Sequence, residues 1–173
     1  PTQPLDSVNK HEPLTKPSNT STLSDDLAAL PIPRKYYQEY YKTREADNNM
    51  RNVPQGIHAF LRGYYHFKSA DWRGNKPFTL KARTADEMAK MPRYYIMDLD
   101  RGMAETVSQE MPTAEEISAC HWLPEDELRI YSEQFQRTGF QGGLQWYRAV
   151  DIDTKEMELF AGQTIDQPSL FIA

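Results

Sequence analysis

Few side chains of the sequence have the types and spacing that acid–base, nucleophilic or metal chemistry requires. The four histidines are His11, His58, His66 and His121, and their spacing is not that of metal ligands. Although Cys120 and His121 are neighbours, we do not expect adjacent residues of an irregular segment to form a thiol–imidazole pair. The chain also lacks a Gly-x-Ser-x-Gly elbow, a His-Glu-x-x-His motif, a phosphate-binding glycine loop and paired Cys-x-x-Cys motifs. The sequence therefore predicts neither a metal site nor a cofactor.

Tyrosine is the abundant residue that could contribute to a binding site. Ten tyrosines help to bring the aromatic content to 12%, whereas hydrophobic residues total only 39%. A tyrosine suits a surface or pocket in which the ring is buried and the hydroxyl finds a partner. The pairs Tyr36/Tyr40 and Tyr37/Tyr41 have the i,i+4 spacing of neighbours on a helix. We expect most of the tyrosines to serve in packing.

Length and charge restrict the class of protein. A chain of 173 residues is long enough for one domain with a sizeable core. A net charge of -5 argues against binding to a phosphate backbone, and no apolar run approaches the roughly 18–20 residues that span a bilayer. Because Cys120 is the only cysteine, a reducing compartment is the simplest setting. We therefore expect a cytoplasmic protein that neither binds nucleic acid nor spans a membrane.

The apolar spacing predicts helices in the first half of the chain. Residues 1–22 are rich in Pro, Ser, Thr and Asn and predict an irregular segment. Pro33 is expected in the first turn of a helix over residues 34–44, and Pro54 is expected to begin a helix that ends near Phe67. The expected buried face of this second helix consists of Ile57, Phe60, Leu61, Tyr64 and Tyr65.

Capping signals predict two further helices. Thr84 and Glu87 have the spacing of a capping box for a short helix over residues 85–91. Pro124 precedes three acidic residues, an arrangement typical of a helix start, and Gly139 is expected to end that helix.

The remaining elements follow the glycine pair Gly142-Gly143. A helix is expected over residues 144–152, after this pair. Residues 168–173 are the strongest strand candidate of the sequence. Because a lone strand cannot satisfy its own backbone groups, it would need a sheet contributed by residues outside 1–173.

Two segments together resemble the cap domain of α/β-hydrolases of the epoxide hydrolase branch. Residues 36–41, Tyr-Tyr-Gln-Glu-Tyr-Tyr, are similar to the Tyr-Gln-x-Tyr helix early in that cap. Residues 139–148, Gly-Phe-Gln-Gly-Gly-Leu-Gln-Trp-Tyr-Arg, are similar to its later Trp-Tyr-Arg block. Their order and their separation of roughly a hundred residues fit the family, and residues 168–173 resemble the strand by which the chain returns to the core sheet.

The resemblance implies a fold and a domain organisation. The fold would be a mainly α-helical cap domain of an α/β-hydrolase, with five to eight helices and one C-terminal β-strand that belongs to the core sheet. Residues 1–30 would lead from the core as an irregular linker, residues 31–163 would form the cap, and residues 164–173 would form the re-entry strand.

The resemblance also assigns roles to particular side chains. By motif position, the hydroxyls of Tyr37 and Tyr147 would donate hydrogen bonds to the oxygen of an epoxide. A phenol is protonated at neutral pH, so it can stabilise the charge that develops on this oxygen and can deliver a proton. The doubled tyrosine leaves open whether Tyr36 or Tyr37 faces the cleft, and Trp146 either lines the substrate pocket or packs in the core. Arg148 is expected to have a structural role, such as binding a carboxylate of a neighbouring helix.

In such enzymes the nucleophile, the oxyanion hole and the catalytic histidine belong to the core domain, and we find no match to them here. The implied partners are therefore the remainder of the hydrolase core and a small hydrophobic epoxide or related substrate. A cap of the same kind could serve an ester, lactone or haloacid hydrolase, since fold does not fix the reaction. A non-catalytic helical binding module is the alternative from another class of protein.

Overall fold

The computed structural model describes residues 22–164 and 166–170, and this part of the chain is mainly helical. Its helices are α1 (Leu23–Ala28), α2 (Tyr37–Lys42), α3 (Glu45–Arg51), α4 (Gly56–Phe67), α5 (Ala85–Met88), α6 (Met103–Ser108), α7 (Ala114–Ala119), α8 (Glu125–Thr138) and α9 (Gln141–Met157). A short 3-10 helix, Glu158–Phe160, follows α9. The described residues thus contain nine α-helices rather than five to eight, because several are only four to seven residues long.

Two short strands form an antiparallel sheet that the sequence did not predict. Strand β1 (Arg34–Tyr36) pairs with β2 (Ile96–Asp98), with Arg34 opposite Asp98 and Tyr36 opposite Ile96. The prediction of one helix over residues 34–44 was therefore wrong at its start, where the backbone is extended. The pairing partner lies about sixty residues away, and local spacing carries no information about it.

Helix α4 forms the centre of the main core, as its periodicity predicted. Phe60 and Leu61 are fully buried, and the other three side chains of the predicted face are partly buried against the same cluster. Helices α6 and α8 pack on α4, and α9 packs on α2. A second, smaller cluster joins α1, α5 and β2 through Leu27, Met88 and Ile96.

The connection between α8 and α9 depends on Gly139. This residue ends α8 with a φ of 67°, a backbone conformation that favours glycine. The carboxylate of Asp47 accepts a hydrogen bond from the Phe140 backbone N–H at 2.6 Å, next to the first turn of α9. Contrary to the prediction, Gly142 and Gly143 lie inside α9 rather than before it.

Two other expectations also differ from the structure. Thr84 precedes α5 but makes no side-chain capping bond, and Glu87 accepts from the backbone of Lys81 and pairs with Lys90 instead of closing a capping box. The strand expected over residues 168–173 is not formed by residues 168–170, which are irregular and exposed, and its last three residues lie outside the described part of the chain.

In residues 22–164 and 166–170, no helix has both the length and the apolar character needed to cross a membrane.

Candidate functional site

Helices α2 and α9 bring together the two tyrosines that the sequence singled out. Tyr37 is the first residue of α2, and Tyr147 lies near the middle of α9. Their ring centroids are 5.9 Å apart, and the ring planes meet at 78° in an edge-to-face arrangement. Residues separated by more than a hundred positions in the sequence thus occupy one site.

Arg148 fixes the contact between these two helices. Its Nε donates to the carbonyl of Lys42 at 3.0 Å, and one of its terminal nitrogens donates to the carbonyl of Thr43 at 2.8 Å. These acceptors lie at the C-terminal end of α2, where carbonyls lack partners within the helix. The structural role expected for Arg148 is therefore present, but its partners are backbone carbonyls rather than a carboxylate. The bonds hold the adjacent Tyr147 against α2.

Seven linked tyrosines lie at this site, and we call them the tyrosine cluster; ring contacts continue from it to Tyr40 and Tyr65. Its members are Tyr36, Tyr37, Tyr41, Tyr64, Tyr94, Tyr95 and Tyr147. Tyr37 lies at its centre, with ring centroids of its cluster neighbours at 5.1 to 5.9 Å. The sheet contributes to this arrangement, because the Tyr37 backbone N–H donates to the carbonyl of Tyr95 just beyond the strand pair.

Burial favours the neutral form of several phenols of the cluster. Burial, assisted by the neighbouring Tyr37 phenol, raises the pKa of Tyr147 to about 12. Burial also raises the pKa of Tyr64, and it raises the pKa of Tyr41 well above the ordinary value. The side-chain amide of Gln38 donates to the Tyr37 hydroxyl at 3.3 Å, and a side-chain hydrogen bond also joins the Tyr37 and Tyr147 phenols. The cluster therefore presents hydrogen-bond donors without negative charge.

The other two residues predicted for the pocket have different surroundings. Tyr36 ends β1, and its ring meets that of Tyr37 at 5.1 Å. Trp146 is 77% exposed, so packing in the core of the described residues is ruled out as its role. The structure thus brings Tyr36, Tyr37 and Tyr147 together and leaves Trp146 on the surface of α9.

An apolar cavity of about 250 Å³ lies beside the cluster. Its lining includes Tyr41, Tyr64 and Tyr147 of the cluster, together with Phe60, Phe135, Phe140 and Leu144. Because the lining combines aromatic rings with a few phenol hydroxyls, the cavity suits a neutral organic group that carries a single acceptor.

Lys68 is a member of the site that the sequence analysis missed. Its ammonium lies 4.6 Å from the ring centroid of Tyr94 and 4.9 Å from that of Tyr64. Lys68 is an exposed residue, but the surrounding rings partly desolvate its ammonium and lower its pKa to about 8. The sequence feature that could have indicated Lys68 is its position four residues after Tyr64, because this spacing places both side chains on one helix face.

A serine, a histidine and a glutamate also meet elsewhere in the fold. His58 contacts the Ser132 hydroxyl through Nδ1 at 3.0 Å and the Glu125 carboxylate through Nε2 at 2.8 Å. The Ser132 hydroxyl is buried and lies 3.1 and 3.0 Å from two backbone carbonyls of its own helix, which compete with His58 Nδ1 for its proton, so it is not presented as a nucleophile. Hydrogen bonds from His58 and Arg62 keep the pKa of Glu125 below its ordinary value. This group holds α4 against α8 and is not a hydrolytic triad.

The remaining histidine and thiol candidates make ordinary structural contacts. Cys120 is half-buried, and its Sγ lies 3.8 Å from the carbonyl of Leu123 and 3.7 Å from a nitrogen of Arg62. His121 is exposed, and buried His66 lies 3.9 Å from a carboxylate oxygen of Glu116. None of these contacts forms a thiol–imidazole pair.

Comparison with known proteins gives partial matches. The chain is 50% identical to epoxide hydrolase A of Mycobacterium tuberculosis over 52 residues, which are 30% of this chain and 16% of that relative. Over 51 residues it is 35% and 37% identical to epoxide hydrolases 1 and 3 of Siraitia grosvenorii, again covering 30% of this chain and 16% of each relative. Each match thus spans about one sixth of the relative's length.

Wider comparisons add nothing to these matches. No protein-family profile matches the chain, and no solved structure is significantly similar to it. The partial matches support a relationship between part of this chain and the epoxide hydrolases. The helical architecture of the described residues is consistent with a helical cap.

Proposed function

We propose that this chain is the helical cap of an α/β-hydrolase that opens epoxides. The observation that carries the proposal is the approach of Tyr37 and Tyr147 to 5.9 Å, on two helices held together by Arg148. The 50% identity to an epoxide hydrolase over part of the chain supports the same reaction class.

In the proposed reaction, a carboxylate of the hydrolase core attacks one epoxide carbon. The carbon–oxygen bond breaks, and its electron pair stays on the oxygen as a developing alkoxide. The hydroxyls of Tyr37 and Tyr147 donate to this oxygen, and one of them delivers the proton. The raised pKa of Tyr147 supports this role, because the phenol remains a donor through neutral and mildly alkaline pH.

The cavity indicates the part of the substrate that the cap would hold. An apolar cavity of about 150 Å³ holds a molecule the size of benzene, so about 250 Å³ accommodates a monocyclic or short aliphatic substituent. Its apolar lining favours a neutral, hydrophobic substituent of the epoxide.

The test is epoxide turnover by the complete hydrolase that contains this cap, in four single variants. We expect Tyr147→Phe and Tyr37→Phe each to lower kcat at least about tenfold with little loss of stability, since each removes only a hydroxyl. Tyr36→Phe resolves which member of the doubled tyrosine acts. Tyr131→Phe, on an exposed part of α8, is the matched control and should leave turnover unchanged. Unaltered turnover in Tyr147→Phe would refute the assignment.

A further inference from the structure

The tyrosine cluster contains a cation whose charge its own members do not neutralise. Lys68 follows α4 directly, and its ammonium lies 4.6 to 5.9 Å from the ring centroids of Tyr37, Tyr64, Tyr94 and Tyr95. No ion pair joins Lys68 to a carboxylate among the side chains that the structure describes. Within the described side chains, the cluster therefore holds a positive charge without an ion-pair partner.

The groups that face this ammonium are phenols. Tyr37 comes from α2, Tyr64 from α4, and Tyr94 and Tyr95 from the segment before β2. Burial raises the pKa of Tyr64 and Tyr94, so these phenols carry no charge at neutral pH. Aromatic rings attract a cation through their quadrupole but leave its net charge in place.

The position of Lys68 connects this charge to the proposed reaction. The ring of Tyr37 faces the ammonium at 5.9 Å and also contacts the ring of Tyr147. A ligand oxygen that binds the hydroxyls of Tyr37 and Tyr147 would thus lie in the field of Lys68. Because surrounding rings exclude part of the water, this field is screened less than it would be at an open surface.

We propose that Lys68 supplies the positive charge of this site and makes it select an oxyanion over the corresponding neutral ligand. The role of this selectivity in catalysis rests on the proposed function, in which the oxyanion is the alkoxide formed when the epoxide opens. The selectivity itself is a property of this chain and requires no turnover.

The test compares a phenolate with a neutral ligand of nearly the same shape. At neutral pH, 3,4-dinitrophenol is ionised, whereas its methyl ether, 3,4-dinitroanisole, has no charge; binding of each to the chain is measured by calorimetry. We expect Lys68→Met to weaken phenolate binding about tenfold and to leave anisole binding unchanged, since only the anion interacts with the ammonium charge. Lys68→Arg should keep the preference. Lys76→Met removes an exposed lysine from the neighbouring loop and is the matched control.

The pH dependence provides an independent readout. Because the pKa of Lys68 is about 8, the preference of the unaltered chain for phenolate should decline as the pH rises through that value. Lys68→Arg should retain it, since a guanidinium remains charged.

Three results would overturn the inference. The first is an unchanged preference of Lys68→Met for phenolate over anisole. The second is an equal loss of affinity for both ligands in that variant, which would indicate a merely structural role. The third is failure of the unaltered chain to bind the phenolate. None of these depends on epoxide turnover. A Lys68-dependent anion preference together with unaltered turnover in Tyr147→Phe would refute the epoxide proposal alone.

Discussion

Tyr37 and Tyr41 lie one turn apart on α2, yet their hydroxyls have different surroundings. Buried Tyr41 exchanges a hydrogen bond with the Tyr64 hydroxyl at 3.1 Å, and the hydroxyl of Tyr40 donates to Asn49 at 2.7 Å. The Tyr37 hydroxyl accepts from Gln38 and is hydrogen-bonded to the Tyr147 hydroxyl, its proposed partner in donation. The sequence predicted tyrosines at helical spacing, but it could not separate those that pack from those that can donate, because that depends on distant partners.

Among single residues, Lys68 is expected to lower the free energy of unfolding, because its charged ammonium is partly desolvated in the fold. Partial burial lowers its pKa from 10.5 to about 8, so at neutral pH folding has to desolvate an ammonium. Below about pH 8 both the folded and the unfolded chain carry this proton, and the penalty is present in full. Between about pH 8 and 10.5 the folded chain releases the proton first, and the penalty declines.

Lys68→Met should therefore increase the free energy of unfolding at neutral pH. We expect a gain of about 1 kcal/mol, well below the full value of the shift, because solvent reaches part of the side chain and screens its charge. Denaturant unfolding at pH 7 and at pH 10 measures the effect, with Lys76→Met as control. The gain should shrink at the higher pH, and a gain that grows with pH would contradict this account.

Among the elements, the pairing of α2 with α9 positions the site. Local patterns predicted that both helices exist, and Gly139 was correctly expected to end α8. They did not predict β1, whose three residues are extended because they pair with β2 far along the chain. This pairing also moves the start of α2 to Tyr37, so a contact that is remote in sequence decides where the proposed donor lies.

Arg148→Met tests how α9 is held on α2. The substitution removes the donors to two half-buried carbonyls at the end of α2, and a hydrogen bond from a charged group contributes about 1.5–3 kcal/mol. We expect a loss of stability of that size, with a fall in kcat of the complete hydrolase as Tyr147 loses its fixed position. Arg137→Met is the control, because that exposed arginine bonds only a glutamine one turn away on its own helix. Equal stability of the two variants would show that Arg148 does not anchor α9.

For the whole molecule, the predicted mainly helical architecture is confirmed in the described residues, and the cap role remains a proposal. The core face of α4 could be predicted because a buried helix face repeats with the helix period. The tyrosine cluster could not be assembled from the sequence, since α2, α4, α9 and the segment before β2 meet only after folding. The resemblance supplied Tyr37 and Tyr147 in advance, whereas Lys68 belongs to neither of its two segments.

The central claim, that Tyr37 and Tyr147 donate to one oxygen, is tested most directly by a double-mutant cycle. Turnover of an epoxide by the complete hydrolase is measured for Tyr37→Phe, Tyr147→Phe and the double variant, and the three losses in kcat are compared. Because the two hydroxyls would share one oxyanion and each would position the other, we predict that the double variant loses less than the product of the single losses. Single losses that multiply, or single variants that keep full turnover, would contradict a shared role.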